Sequence, residues 1–215
     1  GPLNATLQIG AGALQPSPDT TPVPFEAARS YFTYAPGAQE IRFSELSVDS
    51  SWGSARAEGT ARLVGMEDGW PSELQAQIAF DEIVADPADL YPEPISLDGG
   101  AMDLALRLDP FALSMGSAHL ADQGRMLRLS GDIRAQPGGW ALSLEGEMDG
   151  IAPARLLALW PRATKPKTRD WIAENVRGGD LRDIQLALRA RAGADPDFHL
   201  GFAFDDLTAR YVRDV

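Results

Sequence analysis

The chain has 215 residues, and its 44% hydrophobic and 23% charged residues are typical of a folded globular protein and exclude a disordered one. The formal net charge of −12 argues against a nucleic-acid partner, because binding to phosphates requires a basic face. The absence of cysteine excludes disulfide bonds and thiolate chemistry. No apolar run reaches the ~18 residues that a membrane-spanning helix needs.

The N-terminus predicts a segment taken from a larger protein. Gly1 and Pro2 are typical of the residue left by a cleaved expression tag. We therefore interpret residues 1–3 as a tag remnant and residues 4–215 as a single segment of a larger protein. A targeting signal or membrane anchor of that protein would lie outside this segment.

Strict alternation of apolar and polar residues is the dominant pattern, and it predicts β-strands with one buried and one solvent-facing side. Turns rich in Gly, Pro and Asp separate the alternating runs. The sequence therefore predicts about nine or ten strands in an antiparallel meander. The runs are weak at residues 7–9, 41–43 and 55–63, and clear at residues 74–80, 102–108, 127–133, 140–148, 184–188 and 198–204.

Three short segments have helical spacing instead of alternation. The first places Phe25, Ala28 and Phe32 on one side. The third is expected to end at Gly178, a residue type that often terminates helices. The second and third together predict a helix–loop–helix between two blocks of strands. These helical inserts are predicted near residues 24–34 and 152–177, the latter as helices over residues 152–160 and 168–177.

The sequence shows no catalytic or metal-binding pattern. His119 and His199 lie within or beside strand patterns and near no recognisable catalytic constellation. The acidic run that begins at Asp81 and Glu82 does not have the spacing of a calcium loop. We therefore predict no catalytic residue, no metal site, no cofactor and no enzymatic activity. A carbohydrate-active enzyme stays open as a third alternative, because 31 acidic residues offer many carboxylate pairs and none stands out.

The predicted sheet has an apolar face that must be covered. Ten strands spaced by ~4.8 Å span roughly 48 Å, and the short helices cannot cover that width. The sheet must then either close into a barrel or sandwich or curve into an apolar trough. Closure is the more frequent solution. An open trough is preferable if the segment belongs to a longer groove, because its exposed apolar surface then has a ligand.

Several motifs occur in a fixed order along the chain. They are Tyr31-Phe32-x-Tyr34-x-Pro36, Leu46-x-Val48 followed by Trp52-Gly53, Leu108-x-Pro110-Phe111-x-Leu113-x-x-Gly116, Gly139-Trp140-x-Leu142-x-Leu144, and Leu159-Trp160-Pro161 followed by Pro166-x-x-Arg169-x-Trp171 and Gly178-Gly179. With these motifs, residues 25–211 resemble the periplasmic AsmA-like family, in particular its YhdP-type members. The last motif is the most specific of the set.

The resemblance implies a mainly β fold, a curved antiparallel β-sheet that forms a taco-like groove with a few short helical inserts. It also implies an inner-membrane anchor outside this segment, a periplasmic location, and bridge-like, non-enzymatic transport of phospholipid toward the outer membrane. The expected partner is a phospholipid or another acyl-chain ligand. The alternative is a closed β-sandwich scaffold or assembly module that binds a protein partner in the cell envelope.

Two sets of candidate site residues follow. Residues 160–182 hold six Lys/Arg and three Asp/Glu, and this insert could brace the sheet through Leu156, Leu157, Trp160 and Trp171, place a basic collar against lipid phosphates, or do both. The candidate headgroup contacts are Arg162, Lys165, Lys167 and Arg169. The candidate groove lining is Ile78, Phe80, Leu104, Leu106, Leu142, Leu144, Ile184, Leu186, Leu188, Phe202 and Phe204.

The ends of the segment predict a further interaction. A sheet cut from a longer groove has terminal strands whose backbone N–H and C=O groups lack partners. The expected edges are the strands near residues 7–9 and 198–204, of which the second carries more apolar residues. We therefore expect self-association through edge strands.

Overall fold

The structure is a computed structural model that describes residues 1–209 except residues 52, 86–90, 92 and 163, with side chains for all of these except residues 177 and 204–209. Within the described residues the chain forms fourteen strands and two helices. In chain order these are β1 (Leu3–Ile9), β2 (Gly12–Leu14), β3 (Val23–Phe25), β4 (Ala27–Ala35), β5 (Glu40–Ser50), β6 (Gly53–Glu67), β7 (Trp70–Ala85), β8 (Ile95–Leu97), β9 (Gly99–Leu108), β10 (Phe111–Asp122), β11 (Arg125–Gln136), β12 (Gly139–Ile151), α1 (Pro153–Leu159), α2 (Pro166–Asn175), β13 (Val176–Arg191) and β14 (Asp197–Ala209).

Twelve strands form one antiparallel sheet. Its order is β1-β4-β5-β6-β7-β9-β10-β11-β12-β13-β14, and β8 pairs with the end of β7. Strands β1 and β14 are the two edges, so the sheet of the described residues is not closed. The prediction of a mainly β fold, with a curved antiparallel sheet and few helices, is confirmed. The closed sandwich is not formed, and the strands are more numerous than the nine or ten expected.

Cross-strand pairing aligns apolar residues into rows that cross the sheet. We call four of them, running from β6 to β13, the groove rows. Every position in them is Ala, Gly, Leu, Ile, Met or Phe, so this part of the sheet has a continuous apolar face. The groove rows are Leu63-Leu74-Leu106-Leu113-Ile133-Leu142-Ala190, Ala61-Ala76-Leu104-Met115-Gly131-Leu144-Leu188, Gly59-Ile78-Met102-Ala118-Leu129-Gly146-Leu186 and Ala57-Phe80-Gly100-Leu120-Leu127-Met148-Ile184.

β-Bulges in β5, β7, β10 and β13 interrupt the alternation without turning the apolar residues that flank them to the other face. Each inserts one extra residue, so the inward positions are three apart instead of two. A bulge also bends its strand and increases the local twist. The bulges therefore help the sheet to curve while keeping one face apolar. The inward pairs that flank them are Phe43 and Leu46 in β5, Phe80 and Ile83 in β7, Met115 and Ala118 in β10, and Leu181 and Ile184 in β13.

The segment of residues 10–26, which we call the N-terminal arm, shows how far the sheet curls. At its base the Glu26 N–H donates to the Asp49 carbonyl on β5 (2.8 Å), and near its tip the Thr21 carbonyl accepts from Trp140 Nε1 on β12 (2.8 Å). Five residues span at most about 18 Å. Strands β5 and β12 are six strand spacings apart, about 29 Å in a flat sheet, and Asp49 and Trp140 also lie at opposite ends of their strands, which makes the flat-sheet distance longer still. The sheet therefore curls toward the face that carries Trp140.

The predicted helix near residues 24–34 is wrong. This segment forms β3 and most of β4, and β4 pairs with β1 on one side and β5 on the other. The spacing of Phe25, Ala28 and Phe32 imitated a helix, but residues 31–34 are Tyr-Phe-Thr-Tyr, types that favour strands. Two flanking strands supply hydrogen bonds along the whole of β4, which outweighs a weak local helical preference.

The second and third predicted helices are confirmed as α1 and α2. Pro153 and Pro166 open them, a position where the missing proline N–H costs no hydrogen bond. Helix α2 begins and ends two residues earlier than predicted, because the chain enters β13 at Val176 instead of continuing to Gly178. Neither helix of the described residues has the length and hydrophobicity that a membrane crossing requires.

The helical insert covers one end of the apolar face. Leu156 and Trp160 of the α1 segment and Ile172 of α2 are buried against Met148 and Ile184 of the sheet. The Trp160 ring also contacts Phe198 on β14, with centroids 6.1 Å apart. A second cluster, centred on Ile78 and three buried alanines, lies on β6 and β7 and involves no helix. The same face is therefore covered by helices near β12–β14 and by its own curvature near β5–β9.

A buried ion pair fixes α1 to the sheet. The Arg155 Nε donates to both carboxylate oxygens of Asp122 (3.0 and 3.1 Å), and its Nη2 donates to the Ser96 carbonyl (3.0 Å). Asp122 is only 2% exposed. The hydrogen bond to Asp122 raises the pKa of the Arg155 guanidinium above its ordinary value. This contact joins α1 to the ends of β8 and β10.

Removal of one partner of this pair should destabilise the protein strongly. Asp122→Ala leaves Arg155 unpaired in a largely desolvated position, and we expect the free energy of unfolding to fall by about 3 kcal/mol in urea titration. Asp122→Ala with Arg155→Met should recover part of that loss. As a matched control, Asp149→Ala removes the exposed partner of Arg128 and should leave the urea midpoint unchanged. Equal effects of Asp122→Ala and Asp149→Ala would contradict this account.

Strand β1 should mediate self-association. All seven of its residues are exposed and none is charged, so this edge lacks the charges that usually prevent pairing with another chain. We expect light scattering to show dimers at high concentration. Thr6→Lys, on the polar side of β1, should shift the protein toward monomer, whereas Gln77→Lys, on the polar side of the inner strand β7, should not. A monomer at every concentration would refute the prediction.

Candidate functional site, an apolar groove

The structure brings the predicted groove residues together on the inner face of the curl. Nine of them are members of the groove rows, and Phe202 lies on the same face of the neighbouring strand β14. The side chain of Phe204 lies outside the described residues, and only its backbone pairing with Leu181 is given. The predicted register is therefore correct for the residues whose side chains are described. The nine are Ile78, Phe80, Leu104, Leu106, Leu142, Leu144, Ile184, Leu186 and Leu188.

These residues differ in how much of their surface is free. Ile184 is buried beneath the helical insert, and Phe202 packs against the same cluster. Ile78 is buried in the cluster on β6 and β7. The remaining members are half-buried, including Leu104 and Leu144. The accessible apolar surface is therefore concentrated between the two clusters, on β9 to β13.

Sequence reasoning missed the small residues at the bottom of the groove. Ala61, Ala76 and Ala118 are at most 8% exposed, although each is a single methyl group on the face. At Gly146 an added Cβ would lie 2.7 Å from Leu129 Cδ2 and 2.9 Å from Leu186 Cγ. On the inner side of a bend the side chains converge, so small residues leave room for the leucines beside them. Small residues at inward positions are the sequence signal for this role.

Strand β10 was also missed by the sequence analysis. Its inward residues are Leu113, Met115, Ala118 and Leu120, so a bulge at Gly116 shifts the alternation in the middle of the strand. The bulge therefore divides the alternation into two short runs, Phe111 to Met115 and Ala118 to Leu120, and neither stands out. The strand supplies one position to each of the four groove rows.

The N-terminal arm crosses the inner face of the sheet and ends at its opposite rim. Trp140 donates from Nε1 to the Thr21 carbonyl, and its ring meets Phe111 edge-on with centroids 5.6 Å apart. The tip of the arm is ordered by its own hydrogen bonds: Thr20 Oγ1 donates to the Ser17 carbonyl (2.8 Å), and Gln15 Nε2 donates to the Thr20 carbonyl (3.0 Å). The arm is thus a strap across the groove.

The helical insert packs against the sheet as the bracing interpretation predicted, except that the buried residue of α2 is Ile172 instead of Trp171. Trp160 is buried, and its Nε1 donates to the Thr164 carbonyl (2.6 Å), which fixes the loop after α1. Trp171, however, is 52% exposed, and its neighbour Ile172 takes the buried position. In α2, Ile172 therefore faces the core and Trp171 faces solvent.

Three of the four predicted headgroup contacts face solvent. Arg162, Lys165 and Lys167 are exposed, and none forms an ion pair with any residue that the structure describes. Arg169 is half-buried and donates from Nη2 to the Leu157 carbonyl (3.2 Å), so it joins the two helices. The basic collar therefore has three exposed members and one structural member.

The polar face of the sheet carries shallow depressions. Two adjoining ones, of about 590 and 580 Å³, share Thr60, Gln77 and Asp103. A third, of about 720 Å³, includes Arg56 and Asp81. The linings of the first two combine amide, hydroxyl and charged side chains with apolar residues such as Leu104 and Ile78, whereas the third is mainly polar.

Titratable groups do not gather into a reactive site among the described residues. His119 and His199 are both exposed, and they lie on β10 and β14, which are not neighbouring strands. No group of three or more His, Cys, Asp or Glu residues within the described part of the chain is arranged to hold a metal ion. Asp122, the buried carboxylate, is held by Arg155.

The fold and groove place the chain in the class of mainly β proteins with an open, curved antiparallel sheet. Comparison with known proteins adds no name to this class, because no family model, no curated protein and no solved structure matches the chain.

The contact between the N-terminal arm and the groove rim depends on Trp140. Trp140→Phe keeps an aromatic ring against Phe111 but removes the donor to Thr21, and we expect a loss of about 1 kcal/mol in the free energy of unfolding. Amide hydrogen exchange in residues 15–22 should become faster because the arm tip is released. Trp70→Phe, at an exposed hairpin, should leave that exchange unchanged. Unchanged exchange in the Trp140→Phe protein would show that other contacts hold the arm.

Proposed function

We propose that the protein is a non-enzymatic lipid conduit whose groove carries the acyl chains of phospholipids. The observation that carries the proposal is the set of groove rows, in which every position across seven strands is apolar and the sheet around them is open. A continuous apolar face that is only partly buried usually has a ligand. A lipid acyl chain is an elongated ligand without polar groups, which suits a trough without polar groups.

The energetics support this ligand class. Each methylene removed from water contributes about 0.8 kcal/mol, so ten methylenes in the groove contribute roughly 8 kcal/mol before the cost of ordering the chain. No hydrogen-bonding side chain occurs in the groove rows to fix one position along them. A chain held only by dispersion and the hydrophobic effect can slide from one row to the next. Such a lining suits transport better than storage of one ligand in one pose.

The resemblance to the periplasmic AsmA-like family supports the same function and suggests its setting. On this proposal the chain is a segment of a YhdP-type bridge between the inner and outer membranes, located in the periplasm and anchored through a part outside the segment. The exposed members of the basic collar, Arg162, Lys165 and Lys167, would meet the phosphates of lipids at the end of the groove. No cofactor is needed for this function.

Lipid content and a groove variant test the proposal. Native mass spectrometry and solvent extraction of the purified protein should find phospholipid or fatty acid. Leu144→Asp places a charge in the half-buried middle of the groove, so the bound lipid should fall to a small fraction of the wild-type amount. Ser143→Asp changes the next residue of the same strand, on the polar face, and should retain the lipid.

The controls separate loss of function from loss of fold. Circular dichroism should show the same β content in both variants, since the groove is open and water can reach the introduced carboxylate. A wild-type protein without lipid, or equal lipid in the Leu144→Asp and Ser143→Asp proteins, would refute the conduit. Specific capture of a protein through the polar face, with an empty groove, would instead favour the assembly module.

A further inference from the structure

We propose that the helical insert docks the protein onto the surface of an anionic lipid bilayer, through Arg162, Lys165, Lys167 and Trp171. The proposal deepens the proposed function, on which it rests for the lipid that a docked groove would exchange. Its starting point is local charge. Residues 161–175 hold four basic and two acidic side chains, a local net charge of +2 in a chain of net charge −12.

Trp171 distinguishes this surface from an ordinary basic patch. Its side chain is 52% exposed, whereas its neighbour Ile172 is buried in the core. An exposed tryptophan within one helical turn of a lysine suits the membrane interface, where the ring enters the headgroup region and the cations meet lipid phosphates. Lys167 lies four residues before Trp171 in α2, so the two side chains lie on the same side of the helix.

The insert is held rigidly enough to present these side chains. Leu156, Trp160 and Ile172 are buried, Arg155 pairs with Asp122, and Arg169 joins the two helices. The Trp160 hydrogen bond to the Thr164 carbonyl fixes the loop just before Lys165. A surface that is ordered before binding loses little conformational entropy when it docks.

The rest of the molecule makes the docking directional. A chain with 31 acidic and 19 basic residues is repelled by an anionic surface unless it presents its basic part. Trp70, 76% exposed on the β6–β7 hairpin, provides the contrast, because residues 65–74 hold three acidic side chains and no basic one. That hairpin and the helical insert lie at opposite ends of the strands. The first residues of β12 are at the same end of the sheet as the hairpin, and its last residues lead into α1.

Vesicle binding with matched charge controls tests the proposal. The wild-type protein should float with vesicles of phosphatidylcholine and phosphatidylglycerol but not with pure phosphatidylcholine, and should dissociate at high salt. Arg162→Ala, Lys165→Ala and Lys167→Ala together should weaken binding about a hundredfold, on the order of fivefold per side chain. The control combines Arg29→Ala, Arg56→Ala and Arg62→Ala, which removes the same charge from the polar face and should bind far more tightly than the first triple variant.

Tryptophan fluorescence then reports which end docks. Brominated phosphatidylglycerol in the vesicles should quench the emission of the wild-type and Trp70→Phe proteins, and most of that quenching should disappear in Trp171→Phe. No binding to anionic vesicles, equal weakening by the two triple variants, or quenching that depends on Trp70 would each overturn the proposal. So would unchanged vesicle affinity of Trp171→Ala, which would indicate a site for soluble polyanions.

The lipid content of the groove separates this proposal from the conduit. The triple variant of the basic side chains should still contain acyl chains after purification, because the groove rows are unchanged. Acyl chains in the groove without vesicle binding would refute the docking surface alone. Vesicle binding by a protein whose groove holds no lipid would refute the conduit alone.

Discussion

The structure depends on one constraint: a single sheet with a continuous apolar face must keep that face from water. Flat, it would expose the groove rows along their whole length, and the two short helices could cover only a few strands. Curvature solves most of the problem, because bending brings inward side chains together and excludes water between them. The bulges, the small residues in the rows and the N-terminal arm all serve this curvature.

The apolar face is shielded from water in two different ways in two parts of the sheet. Near β12 to β14 the helical insert provides a conventional core around Trp160 and Ile172. Near β5 to β9 the alanines and Ile78 are buried with no helix present. The half-buried leucines, such as Leu106 and Leu142, lie between these zones. The basic insert noticed in the sequence therefore has a structural reason to exist, and its charged loop is free for a second role.

The alternating runs predicted most strands and the groove register, since a period of two assigns each residue to a face wherever the strand is regular. The failures lie where the period changes. The bulge at Gly116 concealed β10, and the helical spacing of Phe25, Ala28 and Phe32 gave a helix where β1 and β5 impose a strand. Thr21 and Trp140 are 119 residues apart, and no local pattern could predict their contact.

The two ends of the groove differ in charge, and this difference bears on the proposed transport. An apolar lining without polar groups holds an acyl chain but cannot orient it, so the direction of a bound lipid must be set where its headgroup meets protein. Lys165 and Lys167 stand in the basic insert at one end of the strands, while Glu67 and Asp68 lie at the hairpin end. A phosphate is attracted to the first end and repelled from the second. A groove that is uniform along its length thus acquires polarity from its charged ends.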